Sequence, residues 1–354
     1  MRAIWKILFP VLFACVLLSG CAFWMDGEYS SVTPNKAPGS SNTDTMTVVS
    51  SYQQMCDALT EIVEAGTDSR LLRVRDMTDN QIARNINTAI DYVLRNNAIG
   101  AYAVNEINYE IGTRGGVSAI MLNVSYNHNR SEILRIRQMQ DMDGVMSRIR
   151  IALDNCDTGA VLHVKSYRSV DLIQYVEDYV NMNPQKCMEM PQVSVALYPE
   201  YGPERVIELT FTYQTDRGTL RKMQQTVSDV FMSAQLYVSN DAEASEKYAQ
   251  LYTFLMERYD YTVDTSITPS YSLLRYGVGD SKAFATVYAA MCRQIGLECD
   301  TVSGTKSGEA LHWNILRIDD MDYHLDLLAC NENGIFAVKT AEEMEGYIWD
   351  YSDT

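Results

Sequence analysis

Four histidines and eight cysteines are the side chains of this 354-residue chain best suited to nucleophilic or metal chemistry. Cys56, Cys156, Cys187, Cys292, Cys299 and Cys330 show no Cys-x-x-Cys spacing, so a zinc or dithiol site is not expected. Their even number leaves disulfides and buried thiols both open. His128 and His163 stand apart from any recurring Ser, Cys or carboxylate constellation and read as surface or packing residues. The dense stretch is His312-Trp-Asn-Ile-Leu-Arg-Ile-Asp-Asp-Met-Asp-Tyr-His-Leu-Asp326, with Glu309 just ahead of it. An imidazole base and a carboxylate to orient it are present there in type. A metal site built from His312, His324, Asp319, Asp320 and Asp326 is the other chemistry those residues could do.

Such groups need rigid elements behind them. Lys282 to Ile295 reads as a helix, with Ala283, Phe284, Val287, Tyr288, Met291 and Ile295 on its packing face. A helix from Asp241 to Tyr259, with Asp241 as N-cap, precedes it. His312 to Ile318 and Tyr323 to Leu328 read as strands joined at Asp319-Asp320, a hairpin. A nucleophile at the first turn of a helix sits in the positive end of the dipole. A base on a neighbouring strand can take its proton, and a carboxylate on the next strand can hold that base in place.

The order Tyr271-Ser-Leu-Leu-Arg-Tyr-Gly-Val-Gly-Asp-Ser281, Gly296-Leu, Val302-Ser-Gly304, His312-Trp-Asn314 and Tyr323-His-Leu-Asp326 resembles the transglutaminase-like superfamily, papain-like in fold. The resemblance covers about residues 242–351. It implies a nucleophile, a base and an orienting carboxylate at the positions just described. Ten residues after Tyr271 and eleven before Cys292, Ser281 stands where the family has its catalytic Cys. A hydroxyl is the poorer nucleophile, because a helix terminus and a His can ionise a thiol near neutral pH but not an alcohol. Ungapped alignment through Trp313-Asn314 puts Leu311 at the base position and His312 one residue late. A one-residue shift turns a strand side chain to the opposite face, so His312 serves only if a bulge intervenes. Asp326 is retained. The resemblance therefore implies Ser281, His312 and Asp326 as catalytic-equivalent positions, with Glu309 or His324 as auxiliaries. It also implies Trp313, Asn314, Tyr323 and His324 as binding residues of a peptide-accepting cleft. The family's Tyr-His-x-Asp text accounts for His324 and Asp326 without a metal, and no cofactor is expected.

Before that domain the chain carries an address. Arg2 and Lys6 precede an apolar run, Ile7 to Leu18, too short to span a bilayer comfortably. Leu18-Ser19-Gly20-Cys21 resembles the lipobox of bacterial lipoproteins, in which the Cys is lipidated on sulfur and becomes the new N-terminus. Residues 1–20 are then a signal peptide, and residues 21–47 are the lipidated Cys and a flexible linker. The tether is rich in Gly, Ser, Thr, Pro and Asn. It has a mean reach of roughly 25–30 Å. The expected location is the cell membrane, lipid-anchored on the extracytoplasmic face, with membrane lipid as a partner through Cys21.

Between tether and C-terminal domain the text repeats. Leu122-Asn-Val-Ser-Tyr126 with Arg130 resembles Leu209-Thr-Phe-Thr-Tyr213 with Arg217, at a spacing of roughly ninety residues. Each is preceded by a helix, a strand, a helix and a strand. The expected elements are helices 52–64, 80–96, 142–153 and 170–181, and strands 71–75, 101–111, 117–126, 160–167, 192–198 and 205–213. This gives two tandem α/β units, 48–137 and 138–240, and a transglutaminase-like domain, 241–354: an α+β chain.

A formal net charge of −17, from 29 Lys+Arg against 46 Asp+Glu, excludes a phosphate-backbone partner, so nucleic acid is set aside. The 23 Tyr against 8 Phe suit a wet, secreted-type surface or a Tyr-lined groove. No nucleotide-binding glycine pattern or Gly-x-Ser-x-Gly elbow is present. The expected function is a non-catalytic one, holding a peptide or cell-wall ligand in the inherited cleft. The rival expectation is an acyl-transfer hydrolase, peptidase or transglutaminase using Ser281, His312 and Asp326. A structural surface protein is the third.

Overall fold

A computed structural model describes residues 47–262 and 268–350. The expected signal peptide, Cys21 and the tether through residue 46 lie outside the described residues.

The first unit runs β1 (Thr47–Val49), α1 (Tyr52–Glu64), β2 (Ser69–Val74), α2 (Asp79–Asn96), α3 (Ala98–Ala103), β3 (Val104–Arg114), β4 (Val117–Tyr126) and α4 (Arg130–Ile133). The second runs β5 (Arg137–Asp141), α5 (Met142–Asp154), β6 (Gly159–Ser166), α6 (Leu172–Met182), β7 (Gln192–Tyr198) and β8 (Arg205–Thr212). The sheets have matching orders, β1-β2-β4-β3 and β5-β6-β8-β7. Their pairing senses match too, with the first two strands parallel and the rest antiparallel. Each sheet covers its own core. Met55, Leu59 and Ile62 of α1 pack with Leu72 and Ile120, and Val145 and Ile149 of α5 pack with Leu162 and Leu209. These helical positions recur every three or four residues, which places them on one face.

One expected strand begins three residues early. Ala101 to Ala103 are helical, because the Asn97 side chain accepts the Gly100 N–H at 2.7 Å and starts α3. A local cap overrides the apolar alternation of the segment.

The C-terminal region contains α7 (Arg217–Tyr237), α8 (Ala244–Met256), β9 (Asp260–Tyr261), α9 (Pro269–Tyr276), β10 (Val278–Gly279), α10 (Ser281–Gln294), β11 (Cys299–Lys306), β12 (Glu309–Ile318), β13 (Met321–Leu325), α11 (Leu327–Asn333) and β14 (Tyr347–Trp349). Its sheet has the order β13-β12-β11-β14 and is antiparallel throughout. The α10 helix is buried all round, from Ala283 to Cys292, rather than on a single face. Tyr288 of this helix and Tyr248 of α8 are fully buried, so part of the tyrosine excess belongs to the core. The Tyr288 hydroxyl donates to the Tyr248 carbonyl at 2.8 Å, which lets a phenol replace a phenyl ring inside. Leu220, Val227 and Phe231 of α7 share this core.

The α8 helix starts at Ala244 with Glu243 as N-cap, not Asp241. Asp319 and Asp320 both have positive φ, 51° and 61°, the two-residue turn that suits the twist of a hairpin. Among the described residues all six cysteines are free and buried, and no helix is long and apolar enough to cross a membrane.

Candidate functional site

Asp280 caps α10, its carboxylate accepting the Ala283 N–H at 2.8 Å, which makes Ser281 the first residue of the helix. Asn314 ties the middle of that helix to the sheet: its side-chain amide donates to the carbonyls of Ala285 at 2.9 Å and Asp300 at 3.2 Å. The end of β13 leaves one edge of β12 open beyond Asn314. There the Ser281 hydroxyl accepts the main-chain N–H of His312 at 3.2 Å. Ser281 is buried.

The β12 strand carries no bulge against β11. Its register runs unbroken from Lys306↔Glu309 to Cys299↔Leu316. Leu311, Trp313 and Ile315 therefore share one face, and His312, Asn314 and Leu316 share the other. Asn314 and Leu316 face α10, and the His312 ring is on their side, next to Lys282 and Asp280. Asp326 follows Leu325, the partner of Asn314, and lies on the Trp313 side. Among the described residues no hydrogen bond joins the His312 ring to Ser281 or to Asp326. The expected relay through His312 is thus not assembled: main chain, not imidazole, meets the Ser281 hydroxyl. Burial and the nearby Lys282 charge depress the His312 pKa. The ring is held toward its neutral form.

Asp326 is fully engaged. One oxygen caps α11, accepting the N–H groups of Leu328 at 3.1 Å and Ala329 at 3.0 Å. The other accepts from Lys306 Nζ at 3.1 Å and from the Tyr347 hydroxyl at 2.6 Å. The cap turns the chain into a helix at Leu327, where a strand through Leu328 was expected. Burial pushes the Tyr347 phenol up to about 12, and Asp326 adds to that. Burial alone would lower the Lys306 pKa, but its bonds to Tyr347 and Asp326 outweigh this and raise it. Leu311 packs in the same small cluster as Trp313, Met344, Tyr347 and Trp349. At the position where an orienting carboxylate would meet a base, Lys306 and Tyr347 meet it instead. Neither was found in the sequence, since Lys306 lies two residues past the Val302-Ser-Gly304 stretch, Tyr347 lies on the edge strand β14, and both join Asp326 only through sheet register.

Three of the four expected binding residues are interior. Trp313 and Asn314 are fully buried, which removes them from contact with a ligand, and His324 is nearly so. The Trp313 indole N–H donates to His324 Nδ1 at 3.0 Å, leaving the His324 proton on Nε2. Burial depresses the His324 pKa. Tyr323 is half-buried opposite Leu316, and Glu309 is exposed at the start of β12. A cavity of about 180 Å³ borders Asp326, His324, Cys330, Lys339 and Tyr347; neither Ser281 nor His312 lines it. Among the described residues no group of His, Cys, Asp and Glu is arranged to hold a metal ion.

The profile of the transglutaminase-like superfamily core matches residues 232–334, which contain α10, the β11–β13 sheet and Asp326. Residues 232–334 are a transglutaminase-like domain. Solved structures similar to the chain include one described as a TGase, at 10% identity and TM-score 0.29, covering 53% of this chain and 55% of that one. Another is a proposed cysteine protease from Cytophaga hutchinsonii, at 10% identity and TM-score 0.27, covering 44% of this chain and 70% of that one. A third is a proposed protease from Parabacteroides distasonis, at 9% identity and TM-score 0.24, covering 73% and 39%. The chain thus spans about half the length of the TGase. No curated protein sequence matches it. Within the transglutaminase-like domain, α10, the β12–β13 hairpin and Asp326 follow one another in the order expected from the sequence.

Proposed function

We propose that the chain is a lipid-anchored extracytoplasmic protein whose transglutaminase-like domain binds a peptide or cell-wall ligand without turning it over. One observation carries the loss of turnover: the Ser281 hydroxyl accepts a main-chain N–H, and Asp326 is bonded to Lys306, Tyr347 and the start of α11. A nucleophile must shed its proton to a base, and the base position is occupied by Leu311 in an apolar cluster. The cavity beside Asp326, with Lys339 and Asn333 on its rim, supports retained binding. The anchor rests on the charged start, apolar run and Leu-Ser-Gly-Cys21 ending of the N-terminus.

The test of turnover compares the full chain with Ser281→Ala on glutamine-donor peptides, peptide amides and activated esters. We expect equal rates for both, at the uncatalysed level. A rate at least tenfold above that of Ser281→Ala would establish Ser281 as a nucleophile and overturn the reading. Retention by insoluble peptidoglycan, lost in Lys339→Glu, is the expected binding result; free passage of the native chain would argue against a cell-wall ligand.

A further inference from the structure

A second cavity, of about 440 Å³, lies between the two α/β units, away from the transglutaminase-like domain's sheet. That size suits a small molecule. It is lined by Tyr102 of α3, His128 and Arg135 on either side of α4, Arg137 of β5, Arg148 of α5 and Glu208 of β8, with residues 159–162 of β6 as its floor.

Its charge runs against that of the chain. With a net charge of −17 there is no shortage of carboxylates, yet three guanidinium groups line this cavity. Among the described residues none of the three makes an ion pair or a side-chain hydrogen bond, and Arg148 Nε is shielded from solvent with no acceptor. The two acidic lining groups have other donors. Glu132 accepts the Asn129 N–H at 2.9 Å and stands 3.8 Å from His128 Nδ1, and Glu208 accepts the Tyr198 hydroxyl at 3.4 Å. The Tyr102 and His128 rings stack, with centroids 4.2 Å apart and planes 10° from parallel, and form a flat wall.

A donor removed from water without an acceptor is costly, and more so on a charged group. The guanidinium fork presents parallel N–H groups that match the two oxygens of a carboxylate or phosphate. We infer that this cavity binds a small molecule carrying a carboxylate or phosphate group, gripped by Arg135, Arg137 and Arg148 and flanked by the Tyr102–His128 stack. This site is independent of the reading given for the transglutaminase-like domain.

Isothermal titration of the full chain with citrate and, separately, with pyrophosphate tests the inference and identifies the group. One saturable site for either probe is expected; preference for citrate assigns a carboxylate ligand, and preference for pyrophosphate assigns a phosphate. Loss of one charge-assisted pair should weaken binding about ten- to a hundredfold in Arg148→Met. Arg137→Ala, at an exposed position that folding does not need, should weaken it in the same direction. Lys247→Ala, on α8, serves as the control and should bind as the native chain does. No saturable heat with either probe at millimolar concentration, or binding unchanged in both arginine variants, overturns the inference.

Discussion

The two α/β units and the transglutaminase-like domain have diverged in opposite ways. The units keep one strand order and one set of pairing senses while their sequences share little beyond a Leu-x-x-x-Tyr strand and the arginine after it. The C-terminal domain is matched through its text, and the residues of its motif lie largely in the interior. The retained residues explain the difference, because each has a structural duty. Trp313 fills a cluster and donates to His324, Asn314 ties helix to sheet, and Asp326 caps α11. At Gly304 a Cβ would fall 2.4 Å from the Ile348 carbonyl oxygen and 2.6 Å from the Trp313 ring.

If that contrast is right, substitutions at the retained positions should harm folding. The largest effect is expected for Trp313→Ala, which removes a fully buried ring from the centre of its cluster. A loss of about 3–5 kcal/mol in urea denaturation is expected; a loss below about 1 kcal/mol would mean the motif is kept for something other than packing. Asp326→Ala removes a helix cap and leaves Lys306 and Tyr347 without their acceptor, and should cost about 2–3 kcal/mol. Asp326→Asn keeps a capping oxygen and should recover roughly 1 kcal/mol of that. Equal losses in the two variants would assign the whole effect to the charge.

The smallest effect is a pH dependence. Burial depresses both His312 and His324, so the folded state favours neutral rings. Their contribution is fully present above the usual histidine value of about 6.5 and is lost as pH falls through the lower folded values. The thermal midpoint should drop on acidification from about pH 7 to about pH 5, and less steeply in His324→Gln by roughly 2 °C. An identical slope in the variant would remove His324 from the account.

Much of this architecture was legible in the chain. Apolar spacing gave the helix Tyr52–Glu64, which Ser51 caps in the structure, and alternation gave the strand Gln192–Tyr198. The errors fall where one polar side chain redirects the backbone, as Asn97 does before α3 and Asp326 before α11. In the site, the one-residue displacement of His312 marked the wrong face, and the unbroken register of β12 explains it. The partners of Asp326 were not legible, because Lys306 and Tyr347 reach it only after four strands have aligned.

Two neighbouring units with one strand order carry a hazard during synthesis: a strand of one can find the complementary edge of the other and trap the chain in a swapped pairing. Low sequence likeness between tandem copies is a defence, since a borrowed strand then brings the wrong side-chain volumes to the core. Leu59, Ile62 and Leu72 pack the first sheet, whereas Phe211 and Val164 pack the second. The different core volumes of the two units thus favour the pairing of each unit with its own strands.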